Sequence, residues 1–268
     1  MGRTCRRGHL TKIAFITDEH YPFQDERARE VALEIVREFS PNEMIVGSDG
    51  LDFYSLSSFD KDPQVLKANG LQKVIDGWVT GQKEWTSVAP GAIKRFIPGN
   101  HENRYFKYLW RNPELCELDA LKLSSILKFD VCGIPGETEE EVVYHNMLSV
   151  RHGDLVRKNS GATALGEMDR DKYAISTLTG HTHRGGTAYA TVRGQIRQAQ
   201  EGFCLCGLEP KYVRAPNWQQ GIVLATVTSS FLSFEPVPFQ KIRGKIVAHW
   251  RGKEFRISYA GNTRRNHV

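Results

Sequence analysis

The sequence lacks the features of a membrane protein and of a secreted protein. No apolar run in its 268 residues approaches the roughly 20 residues that a membrane-spanning helix needs. The basic start, MGRTCRRGHLTK, leads directly into a strand-like run, without the apolar stretch of about 7–15 residues that marks a secretory signal. We therefore expect no membrane association and a cytoplasmic location.

Cysteine is scarce and its spacing is uninformative. The sequence contains five cysteines, and none of them forms a Cys-x-x-Cys pair. An odd number without paired spacing argues against a disulfide framework. Cys204 and Cys206 alternate along FCLCG, which predicts a half-buried strand in preference to a thiolate metal site. The thiols indicate a reducing compartment and little more.

Repeats and low-complexity linkers are also missing, so we expect residues 1–268 to form one domain. A chain of this length can bury about three quarters of its unfolded surface, so it needs neither a disulfide nor a metal merely to fold. The net charge of +5 is compatible with a polyanionic partner, although solvated ends explain the terminal basic clusters equally well. Those clusters are Arg3, Arg6 and Arg7 at the start and Arg264 and Arg265 at the finish.

Short apolar runs alternate with helical patterns, which is typical of a layered α/β fold. The apolar runs predict strands at residues 12–18, 42–49, 92–100, 141–152 and 174–181. Helical spacing predicts helices at residues 24–40, within 62–90 and at 113–129. From about residue 187 onward the pattern is rich in strands.

The five predicted strands deliver similar residues at their carboxyl ends. Each ends in Asp, Asn or His, often beside a glycine, and five of the nine histidines fall in these motifs. In open α/β sheets this edge binds ligands. The motifs are Asp18-Glu19-His20, Asp49-Gly50-Leu51-Asp52, Gly99-Asn100-His101-Glu102, His152-Gly153-Asp154 and Gly180-His181-Thr182-His183.

These residue types suit a hard or borderline divalent metal, because carboxylate, amide carbonyl and imidazole are ligands of Mn, Fe, Zn or Co. Seven such groups are too many for one ion with open positions, but they suit two ions that share a bridging carboxylate. Two ions about 3.5–4 Å apart can clamp the attacking and leaving oxygens of an in-line phosphoryl displacement and produce hydroxide at neutral pH.

In this order, the motifs resemble those of the calcineurin-like metallophosphoesterases, over roughly residues 12–186. The resemblance implies that His101 acts as general acid toward the leaving group. It implies a first metal bound by Asp18, His20, Asp49 and His183. It implies a second metal bound by Asp49, Asn100, His152 and His181, with Asp49 bridging.

The expected fold is a four-layer α/β sandwich with two central mixed β-sheets flanked by helices. Residues 187–268 would form the strand-rich C-terminal part of the same domain, with the last strands extending one sheet. The segment 202–221 also resembles phage-borne members of the family. A phage origin would place the activity in the cytoplasm of the host.

The expected function is hydrolysis of phosphodiester bonds, in nucleic acid or nucleotides, by in-line attack of a hydroxide that bridges two metals. Manganese is the metal expected in vitro, with iron, zinc, cobalt, nickel or magnesium as alternatives. A phosphomonoesterase or protein phosphatase with the same centre is the first alternative. A non-catalytic binding scaffold is the second, and the oligomeric state is left open.

Two departures from the family pattern bear on the substrate. Ser48 stands where the second motif usually has glycine. The protein phosphatases of the family have arginines where this chain has Phe53 and Pro98, so it lacks their phosphate clamp. Arg104 and Arg184 lie beside ligand motifs and are the candidate contacts to substrate phosphate.

Four further side chains have two readings each. Asp52 could orient a metal-bound histidine or could form a turn, and the sequence favours neither role. Glu102 is expected to act as a cap or to pair with Arg104. Trp218 and Tyr212 are interpreted as core aromatics, with base stacking as the alternative.

Overall fold

The computed structural model describes residues 10–170, 174–210 and 215–258. The terminal arginine clusters and Tyr212 lie outside these ranges. Within them, every helix is too short or too polar to cross a bilayer.

The described strands, in chain order, form two sheets. They are β1 Thr11–Phe15, β2 Glu43–Gly47, β3 Ile93–Ile97, β4 Glu141–Tyr144, β5 Leu148–Arg151, β6 Ser176–Thr179, β7 Gly185–Val192, β8 Gln195–Gly202, β9 Gly221–Val227, β10 Leu232–Ile242, β11 Lys245–Trp250 and β12 Lys253–Ser258. The first sheet has the order β12-β11-β10-β9-β1-β2-β3, and the second has the order β4-β5-β6-β8-β7.

Both sheets are mixed. In the first, β1, β2 and β3 run parallel, and β9 to β12 extend the sheet antiparallel from β1. In the second, β5, β6 and β8 run parallel, with antiparallel β4 and β7 at the edges. Each sheet therefore contains three adjacent parallel strands, whose carboxyl ends lie on the same side of the sheet.

The described helices are α1 Glu26–Phe39, α2 Pro63–Ala68, α3 Leu71–Val88, α4 Glu102–Trp110, α5 Leu123–Ile126, α6 Phe129–Cys132 and α7 Ala162–Arg170. Helix α1 begins where the Asp25 carboxylate accepts hydrogen bonds from the backbone N–H groups of Arg27 and Ala28. Its apolar stripe is buried, and it ends at Ser40, whose φ is 50°.

Three buried clusters separate four layers. The largest lies between the first sheet and the helices that include α1 and α3. A second cluster, with Phe15, Val150 and Leu178, lies between the two sheets. A small third cluster packs α7 against the outer face of the second sheet. This confirms the expected α/β sandwich of two mixed sheets flanked by helices, with β9 to β12 extending one of them.

Two local predictions were wrong. Residues 113–129 form short 3₁₀ and α-helical turns instead of one helix, since Leu121, Leu123 and Leu127 follow the surface of the core and Lys128 adopts a φ of 52°. The segment FCLCG makes only isolated bridges, and its Phe203–Cys206 part is buried throughout instead of alternating. Tertiary packing overrides the local pattern in both segments.

Candidate metal centre

The first group of candidate ligand atoms comes from the loops that follow β1 and β6. His183 Nε2 lies 3.2 Å from Asp18 Oδ1. His20 Nε2 lies 2.9 Å from His183 Nε2 and 3.7 Å from Asp18 Oδ1. All three side chains are buried. They are three of the four residues expected at the first metal.

The second group joins residues that follow β2, β3, β5 and β6. Asp49, His152 and His181 have ligand atoms within 4.8 Å of one another. His152 Nε2 lies 3.4 Å from Asp49 Oδ2 and 2.9 Å from Asn100 Oδ1. The rings of His152 and His181 meet edge to face, with centroids 5.0 Å apart. The structure thus brings together the four residues expected at the second metal.

Asp49 lies between the two groups. Its Oδ2 is 3.9 Å from His20 Nε2 and 3.4 Å from His152 Nε2, so one oxygen faces both groups. Its Oδ1 accepts a hydrogen bond of 2.7 Å from the backbone N–H of His101. This geometry fits the expected bridging role, because one carboxylate oxygen is tied to the protein and the other is directed at the centre.

The buried polar atoms of the first group fit a divalent cation. Asp18 Oδ1 is buried, and among the described residues it has no hydrogen-bond donor. His20 Nδ1 lies 3.3 Å from Asp52 Oδ2, so a proton held at Nδ1 leaves the Nε2 lone pair directed at Asp18. Facing lone pairs in a buried site repel each other unless a proton or a cation lies between them. Mixed nitrogen and oxygen donors suit Mn, Fe or Zn.

The backbone is left-handed at most positions of the centre. Residues other than glycine adopt it at a cost of about 1–2 kcal/mol each, which Asp, Asn and His tolerate best. Such conformations concentrate at functional sites. The φ values are 53° at Asp18, 53° at His20, 51° at Ser48, 63° at Asp49, 72° at His181 and 56° at His183.

Glycines beside the ligands allow close approach of the carboxylates. A Cβ atom at Gly99 would overlap Asp49 Oδ1, and one at Gly180 would overlap Thr17 Oγ1. Neither position leaves room for a side chain. The glycines of these two motifs therefore fix the packing distance between strand-end loops.

Asp52 holds two histidines of the centre. Its Oδ2 lies 3.3 Å from His20 Nδ1 and 3.2 Å from His101 Nδ1. The carboxylate is itself fixed by Arg104, whose Nη1 donates to Asp52 Oδ1 at 2.9 Å. Although burial opposes the charge, hydrogen bonds with His101 and His20 hold the pKa of Asp52 well below its usual range. Of the two roles considered for Asp52, the structure favours orientation of histidines.

Burial and neighbouring charges act on the histidines of the second group in opposite directions. Burial disfavours an imidazolium at His152, but the Asp49 carboxylate outweighs burial and raises the pKa of His152 to about 8. Burial, followed by the neighbouring His152, lowers the pKa of His181. The two histidines of the second group therefore differ in their affinity for a proton.

Glu102 stabilises the loops and does not pair with Arg104. Its carboxylate accepts from the backbone N–H groups of Gly99 at 2.7 Å, Leu51 at 3.0 Å and Asp49 at 3.1 Å. Burial, together with the nearby Asp49 charge, raises the pKa of Glu102 to about 7. The Glu102 side chain therefore connects the second and third motifs by hydrogen bonds to their backbone N–H groups.

The two candidate substrate arginines lie in different environments. Arg104 is partly exposed, and its Nη2 lies 3.2 Å from His101 Nε2, beside the centre. Arg184 is buried and donates to the carbonyl oxygens of Lys158 and Arg157 at 2.9 and 2.7 Å. The geometry keeps Arg104 as a candidate phosphate contact, whereas it assigns Arg184 to holding the loop after His152 in place.

Two cysteines and Trp218 lie against His183. Cys206 Sγ is 3.8 Å from His183 Nδ1. Hydrogen bonding with Cys204, together with burial, raises the pKa of the Cys206 thiol well above its usual range. The Trp218 ring is half-buried, with its centroid 4.2 Å from that of His183, so it packs on a candidate ligand instead of the hydrophobic core.

A groove of about 690 Å³ opens beside His152. One wall is α4, which contributes Asn103, Phe106 and Trp110 at helical spacing. The Trp110 side chain is 67% exposed. The opposite wall includes Arg170. The groove therefore leads from the second group along the helix that begins next to His101.

Comparison with known proteins places the chain near two phage proteins. No family model matches the sequence. The chain is 26% identical over 255 residues to the Gene 54 protein of Mycobacterium phage D29, covering 89% of this chain and 97% of that protein. It is 26% identical over 254 residues to the Gene 54 protein of Mycobacterium phage L5, covering 85% and 93%.

Among solved structures, a single mutant of Vps29 from Entamoeba histolytica aligns with 93% of this chain and 99% of its own, with a TM-score of 0.40 and 13% identity. A likeness at this level carries no inference about activity. The two phage proteins agree with the expectation, drawn from residues 202–221, that this chain is similar to proteins carried by phages.

Proposed function

We propose that the protein is a two-metal phosphoesterase that hydrolyses phosphodiester bonds in nucleic acid or nucleotides. The observation that carries the proposal is the position of Asp49 Oδ2, which faces His20 Nε2 on one side and His152 Nε2 on the other. A carboxylate oxygen shared by two ligand groups is the arrangement that a binuclear centre requires. The phage relatives support a setting in the cytoplasm of a host cell.

Seven side chains would hold the two ions. When bound, such ions supply Lewis-acid activation of water and neutralise charge on the phosphoryl oxygens. Manganese is the first metal to test. The first ion would be held by Asp18, His20, Asp49 and His183, and the second by Asp49, Asn100, His152 and His181.

His101 is the proposed general acid. Its Nδ1 is held by Asp52, and its Nε2 lies 3.9 Å from Asp49 Oδ2, so Nε2 faces the centre. A proton held at Nε2 can be delivered to the departing oxygen of the substrate. Arg104 Nη2, 3.2 Å from the same nitrogen, is placed to contact a phosphoryl oxygen.

Three features support a diester over a phosphoprotein. Phe53 is buried and stacks on Tyr105, so it provides no cation where protein phosphatases have an arginine. Pro98 lines the groove where the other arginine would be. The groove offers a large exposed aromatic, Trp110, at the end of α4, and aromatic faces stack on nucleobases.

Parallel assays with Mn²⁺ on bis- and mono-(p-nitrophenyl) phosphate, and on single- and double-stranded DNA and RNA, test the proposal. We expect faster turnover of the diester than of the monoester. His101→Ala should lower kcat about 10²–10⁴-fold, while His249→Ala, which removes an exposed histidine on β11, should leave it unchanged.

The opposite preference, with the monoester turned over much faster, would support the phosphomonoesterase alternative. Unchanged hydrolysis in both His101→Ala and Asp49→Asn would show that the measured activity does not come from this centre. Metal binding without hydrolysis of any substrate would favour the scaffold alternative.

A further inference from the structure

Buried hydroxyl groups connect the two ligand groups of the centre. Ser48 and Thr17 are 0% and 2% exposed, and they follow the parallel strands β2 and β1. Ser48 is the residue that replaces the usual glycine of the second motif. Its contacts give that replacement a physical role, which rests on the proposed two-metal centre.

The contacts form a continuous hydroxyl chain of Asp18, Thr17, Ser48 and His152. Thr17 Oγ1 donates to Asp18 Oδ2 at 2.6 Å. The hydroxyl oxygens of Thr17 and Ser48 lie 3.0 Å apart. Ser48 Oγ lies 2.8 Å from His152 Nδ1. The chain runs from a ligand of the first group to a ligand of the second.

The Asp18 carboxylate determines which groups donate in these hydrogen bonds. An ionised carboxylate only accepts, so the single hydroxyl proton of Thr17 is committed to Asp18. A hydrogen bond between the two hydroxyls then has Ser48 as its donor and Thr17 as its acceptor. With the Ser48 proton so placed, Ser48 Oγ accepts from His152 Nδ1.

We propose that Ser48 and Thr17 are positioning residues that hold the proton of His152 on Nδ1 and direct its Nε2 at the second metal site. Nε2 faces Asn100 Oδ1 and Asp49 Oδ2, at 2.9 and 3.4 Å. The hydroxyl chain orients the His152 ring and leaves Nε2 as its ligating nitrogen. An outer hydrogen bond of this kind typically improves metal affinity by about 10–100-fold.

The backbone at Ser48 allows this role to be separated from folding. Its φ of 51° is strained for serine and relaxed for glycine. Ser48→Gly therefore removes the hydroxyl without straining the chain. Ser40, which is exposed and has a φ of 50°, offers a matched Ser40→Gly control far from the centre.

The experiment compares Ser48→Gly, Thr17→Val, Thr17→Ser and Ser40→Gly with the wild type. Calorimetric titration of metal-depleted protein with Mn²⁺ measures the affinity of each site without substrate. Spectra of protein with ¹⁵N-labelled histidine, metal-free and Zn²⁺-loaded, report exchange of the His152 Nδ1 proton, with His152→Asn for assignment.

We expect Ser48→Gly and Thr17→Val to weaken the second Mn²⁺ site at least tenfold and to lose the slowly exchanging Nδ1 proton. Thr17→Ser, which keeps the hydroxyl, and Ser40→Gly should match the wild type. Wild-type affinity and a protected Nδ1 proton in both disrupted variants would overturn the proposal. A wild type that binds no metal would reject the proposed function, while the Nδ1 signal would still decide whether the hydroxyl chain exists.

Discussion

At the residue scale, much of the geometry of the centre depends on Asp52. Its carboxylate contacts the Nδ1 atoms of a candidate ligand, His20, and of the proposed acid, His101, and it also binds Arg104. A single buried side chain thus orients the rings of both histidines. Metal affinity and proton delivery should therefore change together when it is altered.

Asp52→Asn keeps the shape of the side chain but removes its charge. We expect Mn²⁺ affinity at the first site to fall about 10–100-fold, with a lower kcat, because His20 and His101 lose the negative charge of their common acceptor. Calorimetric titration and steady-state kinetics measure the two effects. Asp76→Asn, at an exposed surface pair with Lys128, is the matched control. A loss of kcat with unchanged metal affinity would show that Asp52 acts through His101 alone.

At the element scale, helix α4 connects the proposed chemistry to the groove. It begins beside His101 and carries Phe106 and Trp110 along one wall. A substrate phosphate at the centre would place the adjoining part of a polymer along this helix. The exposed ring at its end is the position where a nucleobase can stack.

Trp110→Ala should raise KM for a single-stranded oligonucleotide about fivefold or more, because stacking on an aromatic ring contributes about 1–3 kcal/mol per base. KM for bis-(p-nitrophenyl) phosphate should stay constant, since that small diester does not reach the end of α4. Phe231→Ala removes another exposed aromatic, between β9 and β10, and serves as control. Equal increases in KM for both substrates would contradict binding of the polymer along the groove.

Arg184 links elements of the fold through backbone carbonyl oxygens. Its guanidinium joins the start of β7 to the loop before α7 through two backbone carbonyl oxygens, and Glu201 Oε2 lies 3.7 Å from its Nε. Arg184→Lys keeps the positive charge but loses the two guanidinium nitrogens that donate to these carbonyl oxygens. We expect the free energy of unfolding to fall by about 1–3 kcal/mol, because a buried carbonyl is left unpaired, while KM stays unchanged.

Urea denaturation and steady-state kinetics measure both quantities for Arg184→Lys. The control is Arg256→Lys at an exposed position of β12. A raised KM with unchanged stability would restore Arg184 as a contact to substrate.

At the scale of the whole molecule, the centre joins the two sheets. Asp18, Asp49 and Asn100 follow strands of the first sheet, whereas His152 and His181 follow strands of the second. A cation held by both sets would cross-link the two halves of the sandwich. Metal binding should therefore stabilise the entire fold and not only the loops that carry the ligands.

Addition of Mn²⁺ to metal-depleted protein should raise Tm in a concentration-dependent manner. Binding to the native state alone raises the free energy of unfolding by about 2.7 kcal/mol when the Mn²⁺ concentration is a hundredfold above Kd. The ion would also relieve repulsion among the buried ligand atoms. Differential scanning calorimetry measures the shift, with Asp49→Asn as the variant expected to lose it. An equal shift in Asp49→Asn would place the stabilising ion elsewhere.

The sandwich and the convergence of the candidate ligands could be predicted because both depend on short-range patterns. Apolar runs mark the strands, and polar residues at their ends mark one edge of each sheet. The roles of Ser48 and Glu102 could not be predicted in this way. Their partners lie 104 residues away at His152 and 53 residues away at Asp49, so only the packing of loops from both sheets reveals them.

The left-handed backbone of the centre has a consequence for mutational scanning. At Asp18, Asp49 and His183 a substitution alters both a donor atom and the tolerance of the residue for positive φ. Alanine and, above all, valine or isoleucine would lower expression at these positions even if no metal were ever bound. Asparagine tolerates this backbone, so Asp→Asn and His→Asn exchanges separate loss of ligation from loss of the fold, and glycine serves where the side chain alone is in question.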